Sequence, residues 1–465
     1  MGLLAAGAVL RLHRLGDGLW FDEIQTLVDY VRLPLGTILR TYDSQNQHLL
    51  YSLLARLSVS GLGESAASLR LPAAILGVAS LYAVYLIGRE ISSQREALLA
   101  TGLLTVSYHH LWFSQNARGY TGLLLGALLT TWALHKILSD PARGNRWIAL
   151  YGVSMALTAY MHITATLIAA AQFGIIAFVG LRSTDRALWR RLALAFGMAA
   201  GLGLLLYGPV LTQMVGTLLV PSPHAAESEW KNPLWLVAET AAGLARGLPG
   251  GWAGLGLGLA VASAGMLSFA RQSPTLLALM VFPALLTAAV VVGLGHNLWP
   301  RFFFFSAGVA VLIAVRGTFT LAARLLPRRG PTVATGLLVL GAMVSATTLP
   351  RAWGPKQDYV GAARYIADHA RPDDTVFTVD LTDYPLNQYL GHSWPRLEEL
   401  PALEAAERGQ GRTWVVYTFP IRLAAVEPEI WARLESTYDT AAVFRGTVGG
   451  GDLVVMVHDP PREPS

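Results

Sequence analysis

The sequence predicts a mainly α, polytopic membrane protein that ends in a small α/β domain. Three observations predict it. Of 465 residues, 53% are hydrophobic and 14% charged, against roughly 25% charged in a soluble domain. The charge is divided unevenly: residues 1–351 hold 25 Lys/Arg and 13 Asp/Glu, a net of +12, while residues 352–465 hold 10 and 17, a net of −7. The apolar residues of the first part gather into runs near the roughly 20 residues that cross a bilayer as a helix. The change in composition marks a domain boundary, with a transmembrane domain over 1–351 and an acidic domain over 352–465. There is no cysteine, which excludes disulfides and thiolate metal sites.

The apolar runs give candidate spans at 66–88, 97–113, 119–138, 147–161, 163–181, 192–215, 252–270, 274–294, 299–315 and 331–349. The opening run, Met1 to Leu12, is short and ends in Arg11, His13 and Arg14. A signal peptide carries its basic residues ahead of the apolar run. The opening run therefore counts as a first span, with room for a few residues missing from its start, and the total is about 11.

Orientation follows from the basic residues, which concentrate on cytoplasmic connections. Alternate connections carry Arg89 and Arg95; Lys136, Arg143 and Arg146; Arg182, Arg186, Arg190 and Arg191; Arg271; and Arg316, Arg324, Arg328 and Arg329. The expected N-terminus is cytoplasmic and the acidic C-terminal domain extracytoplasmic. The first outer loop, 16–64, is long and holds apolar stretches too short to span, which suit helices lying in the interface. A second outer connection runs from Pro221 to Gly251 with HAAESEWKN and a weakly amphipathic run, 234–247. In the acidic domain, 357–370 suits an amphipathic helix. Thr375 to Val379, Thr413 to Tyr417 and Leu453 to Val457 suit strands, and Ile430 to Leu434 another helix.

Chemistry concentrates on the outer face. Asp22 and Glu23 adjoin just beyond the first span. Such a pair serves as general base or metal ligand, or only as solvated charge at a helix N-terminus. His48, after Gln47, opens an apolar helix, where a histidine is either a ligand or an amphipathic residue at the interface. Arg118 stands between Asn116 and Tyr120 at the outer end of a span, and Arg301 lies in HNLWPRFFFF. Arginine at such a boundary either snorkels or binds phosphate bidentately. An acidic pair with several outer-face arginines makes a site for an anionic lipid headgroup.

Motifs in order carry a resemblance. RLHRLGDGLWFDE, HLLYSLLARL, GESAASLRLPAAILGVASLYAVYLIGRE, SQNARGYTGLLLGALLTTWAL, WPRFFFFSAGVAVLIA and DYVGAARYIADHARPDDTV resemble the GT-C superfamily of membrane glycosyltransferases. Within it they are most similar to the bacterial protein O-mannosyltransferase-like branch, relatives of the aminoarabinose transferase. The resemblance is strong over 10–140 and weak over 150–290. It implies a GT-C-like fold in the bacterial inner membrane. It places Asp22 on the family's catalytic base, with Glu23 its neighbour, and His48 on the histidine opening the loop helix. Arg118 and Tyr120 fall on the arginine and tyrosine of a motif often written SQEARMY.

Asn116 stands where those relatives carry glutamate, and Leu49 follows His48 where proline is common. Without that glutamate, a divalent metal is either dispensable or held by Glu23 and His48. The implied partners are a polyprenyl-phosphate sugar donor, membrane lipid, and an acceptor protein, lipid or glycan; no nucleic-acid partner is expected. The implied reaction is inverting transfer of a hexosyl or pentosyl group. Asp22 takes the proton of an acceptor hydroxyl, and Arg118 and Arg301 stabilise the departing phosphate. The alternative from another class is a lipid or solute transporter. Transporters place charges or broken helices at mid-membrane, whereas here the middles of the spans carry almost none.

Overall fold

The computed structural model describes residues 1–139, 145–180, 185–219, 232–248, 250–296 and 299–460. Arg143, Arg182 and the outer stretch from Pro221 through Lys231 lie outside the described residues. Among the described residues, six helices are long and apolar enough to cross a membrane: Ala66–Ile91, Tyr120–Ser139, Arg186–Leu218, Gly251–Gln272, Pro274–Gly293 and Pro300–Leu325. Shorter apolar helices occupy Gly2–Leu12, Leu49–Leu62, Ala165–Gly180 and Gly330–Ala346, and Asn145–Met161 is a further helix. The described chain forms two compact units. One takes residues 1–15 with most of 33–352; the other takes 16–32 with 353–460.

In the first unit, helices approach closely where side chains are small, as membrane helices do. A Cβ on Gly265 would lie 1.9 Å from the Ile313 carbonyl oxygen, and one on Gly317 would lie 1.9 Å from that of Val261. Only glycine allows Gly251–Gln272 and Ala307–Leu325 to cross there. The run 97–113, expected as one span, is broken: Gln94–Thr105 ends at Val106 and a new helix runs over Tyr108–Ser114. Ser107 starts the second helix by accepting from the His110 amide. The carbonyls freed by the break would be costly to leave bare in an apolar setting. Arg11 donates to Thr105 O at 3.3 Å and, at 3.4 Å, to Leu104 O, which also accepts from the Ser107 amide. Arg11, which the sequence suggests is a flanking charge, is therefore fully buried. Arg316, expected in a cytoplasmic loop, sits within Ala307–Leu325 and pairs with Glu96 at 3.2 Å.

The second unit is built on a five-stranded sheet. Its strands are β1 (Thr375–Val379), β2 (Arg396–Leu397), β3 (Thr413–Tyr417), β4 (Asp439–Phe444) and β5 (Leu453–His458). The order is β2-β1-β3-β5-β4, with β1 parallel to β2 and β3 and β5 antiparallel to β3 and β4. β3 is buried along its whole length, which explains its unbroken TWVVY run. Phe377, Val379, Val415, Leu403, Leu423, Ile430 and Leu434 share the core. The expected helices form at Tyr359–His369, where the Asp358 carboxylate accepts from the Gly361 amide, and at Pro428–Thr437. β2 is two residues long and β4 lacks an alternating pattern, so neither has a sequence signature.

Candidate functional site

The first unit brings four of the expected residues together. His48 immediately precedes Leu49–Leu62. Arg118 lies in the turn after Tyr108–Ser114, in which its amide donates to Asn116 O at 2.7 Å, and Tyr120 is the first residue of Tyr120–Ser139. Arg301 lies in the 3₁₀ turn Pro300–Ser306, its guanidinium 5.1 Å from the Trp299 ring centre. His48, Asn116, Arg118 and Tyr120 are all buried. Arg118 Nη2 lies 3.1 Å from His48 Nε2, and its guanidinium 5.7 Å from the Tyr120 ring. The His48 and Tyr120 rings meet edge-on at 5.7 Å.

A fifth residue, His162, joins them. It follows Asn145–Met161 and its ring meets those of His48 at 4.5 Å, Tyr120 at 5.1 Å and Phe302 at 6.2 Å. Sequence reasoning missed it, although it is the only histidine or charged residue between Arg146 and Arg182. That isolation in an apolar stretch, at the end of a span, is the signal that marks a functional candidate.

Hydrogen bonds set the tautomers of both imidazoles. The Gly119 amide donates to His48 Nδ1 at 2.9 Å, and the Thr164 amide donates to His162 Nδ1 at 3.2 Å. A nitrogen that accepts has no proton of its own, so each neutral ring carries its proton on Nε2. Burial, followed by the charges of Arg118 and Arg301, pushes both histidines below the ordinary imidazole range and holds them neutral. The cluster therefore presents two guanidinium cations and two imidazole N–H groups. His48 Nε2–H beside Arg118 Nη2 is a pair of donors, an arrangement that one shared acceptor oxygen would join. A divalent cation does not fit His48: Nδ1 is engaged by an amide and Nε2 adjoins a guanidinium. Among the described residues no three His, Asp or Glu side chains gather into a metal-holding group.

Asp22 and Glu23 belong to the second unit. They occupy the first turn of Phe21–Gln25, which continues as a π turn over Thr26–Val31. Glu23 is fully buried and its Oε2 accepts from the Trp20 amide at 3.4 Å. Asp22 is half-buried. Its charge, after burial itself, raises the buried Tyr359 phenol well above the usual tyrosine range. The Phe21 amide donates to Gln357 Oε1 at 3.1 Å, and the Tyr384 hydroxyl donates to Asp29.

Residues 46–212 match the family described as dolichyl-phosphate-mannose-protein mannosyltransferase. No curated protein matches the chain in sequence. Among solved structures, the fold is similar to ArnT from Cupriavidus metallidurans bound to undecaprenyl phosphate, at 12% identity and TM-score 0.53, over 99% of this chain and 98% of that one. It is also similar to the Archaeoglobus fulgidus oligosaccharyltransferase tethered to an acceptor peptide, at 13% identity and TM-score 0.55, over 97% of this chain and 73% of that one. The archaeal oligosaccharyltransferase AglB from Archaeoglobus fulgidus, in complex with an inhibitory peptide and a dolichol-phosphate, matches at 12% identity and TM-score 0.55, over 97% of this chain and 74% of that one. With a polytopic helical body, a small C-terminal sheet and a matched stretch that contains His48, Arg118, Tyr120 and His162, the chain has a GT-C-like fold.

Proposed function

We propose that this protein is a glycosyltransferase of the bacterial inner membrane, taking a sugar from a polyprenyl-phosphate donor to an acceptor hydroxyl at the outer face. The observation that carries the reading is the set of donors formed by His48, Arg118, His162 and Arg301, which suits an anionic phosphate. The fold likeness to ArnT with undecaprenyl phosphate and to AglB with a dolichol-phosphate supports a lipid carrier for that phosphate. In this reading the acceptor oxygen attacks the anomeric carbon as the bond from that carbon to the phosphate oxygen breaks, and the configuration inverts. Asp22 takes the hydroxyl proton, with Glu23 as its structural neighbour. The two arginines and the two imidazole N–H groups stabilise the charge that grows on the departing polyprenyl phosphate. The N-terminus is cytoplasmic and the sheet-bearing domain extracytoplasmic.

The test is transfer of labelled sugar from a polyprenyl-phosphate donor by purified protein, with donor binding measured alongside. Asn at position 22 cannot accept the proton, so Asp22→Asn loses about 10²–10⁴ in turnover and keeps donor binding. Turnover within a few-fold of the parent, on the order of ordinary surface changes, removes Asp22 as base.

A further inference from the structure

The acidic helix Phe21–Gln25, five residues continued by the six of the π turn Thr26–Val31, is still too short to hold itself, since isolated helices below roughly 12–15 residues are marginal. Its orientation is set by contacts from the sheet-bearing domain. Gln357 is buried; its Oε1 accepts from the Phe21 amide at 3.1 Å while its Nε2 donates to Thr418 Oγ1 at 3.1 Å. Thr418, also buried, directly follows β3. The amide one residue before Asp22 is thus tied through one glutamine to the end of the central strand. The other end of the segment is tied as well. Tyr384 donates to Asp29, and its ring lies 6.2 Å from that of Phe21. Tyr384 follows Asp383, whose Oδ1 accepts from Thr378 of β1 at 3.1 Å and from Asn387 at 2.7 Å. Two strand ends therefore fix residues 21–29 from both sides.

Building on the reading of Asp22 as general base, we propose that Gln357 is a positioning residue for Asp22, which makes the C-terminal domain part of the catalytic apparatus. Gln357→Leu keeps the approximate volume and removes both hydrogen bonds. Asp22 then loses its fixed direction, while the donor-binding cluster lies on other elements.

The experiment measures sugar transfer and donor binding by the full-length protein carrying Gln357→Leu, Asp22→Asn, or both. The expected result is a fall in kcat of about 10-fold or more for Gln357→Leu, the scale of a misplaced catalytic group, with donor KM unchanged. In the Asp22→Asn background Gln357→Leu costs nothing further, because a residue that acts through Asp22 has nothing left to position. Parental turnover in Gln357→Leu while Asp22→Asn is inactive overturns the positioning role and leaves the base intact. Equal and additive losses in both backgrounds also overturn it, as they mark a purely structural residue. An active Asp22→Asn overturns the base assignment and the positioning role with it. If Gln357→Leu does not yield folded protein, Gln357→Asn, whose amide is one carbon too short to reach both the Phe21 amide and Thr418 Oγ1, is read by the same three outcomes.

Discussion

Gly119→Ala tests the donor cluster without removing any of its functional groups. A Cβ at position 119 would lie 2.3 Å from the Met161 carbonyl oxygen and 2.7 Å from His48 Nδ1, where ordinary contact begins at 3.4 Å. The first neighbour is backbone at the end of Asn145–Met161 and cannot rotate away. The second is the ring whose Nδ1 accepts from this residue's own amide. Relief requires a separation on the order of 1 Å between the Arg118 turn and the elements bearing His48 and His162, a misplacement of the size that costs about 10²-fold in rate. Overpacking of this kind also removes about 1–3 kcal/mol of stability, which a membrane protein of ordinary stability survives. The assay compares donor binding and sugar transfer for Gly119→Ala with Gly201→Ala, whose added methyl meets nothing within 4 Å. The expected outcome is weakened donor binding and transfer in Gly119→Ala and parental behaviour in Gly201→Ala. A monodisperse Gly119→Ala protein with donor affinity within about two-fold of the parent, the size of an ordinary surface change, would refute the assignment of this cluster to the donor's phosphate.

Two further outcomes follow from the charges. Since His48 and His162 are held below the ordinary imidazole value of 6.5, both stay neutral through the range, about pH 5 to 8, in which a free histidine titrates. Donor binding should then show no step near pH 6.5. Stability behaves oppositely: the unfolded chain accepts protons that the folded one refuses, so stability is full above that value and declines as pH falls below it. Binding titrations across that range decide the first point, and a histidine-like step in donor affinity would contradict it. In the C-terminal domain, burial acts to raise the Asp374 carboxyl, but hydrogen bonds from the Arg371 amide, the Trp414 indole, and the Arg412 amide and side chain hold it below its usual value. Its contribution is present above that usual value and is lost as pH falls through the lowered one. Asp374→Asn should cost about 2–3 kcal/mol, read as faster hydrogen exchange in β1 and β3 of the full-length protein; unchanged exchange would show the contacts to be dispensable.

The sequence by itself determined the class of the protein. Apolar runs of spanning length, a basic body and an acidic tail follow from how water and lipid partition side chains, and they read in one dimension because each helix satisfies its own backbone. The three strongest strands read likewise, since β1, β3 and β5 are short runs rich in β-branched and aromatic residues. His48, Arg118, Tyr120 and Arg301 were legible as polar residues at span ends, and family motifs ranked them. What they form was decided in three dimensions. His162 joins His48 only because separate helix ends converge, and the histidine tautomers depend on the Gly119 and Thr164 amides, which no side-chain pattern encodes. At the break near Val106, Arg11, 93 residues from Leu104, is buried and donates to its carbonyl. The grouping of residues 16–32 with the C-terminal domain likewise rests on contacts such as Phe21 to Gln357, 336 positions apart. Local hydrophobic pattern sets what each segment is; long-range hydrogen bonds between polar groups withdrawn from water set which segments share a site, and these leave no periodicity in the chain.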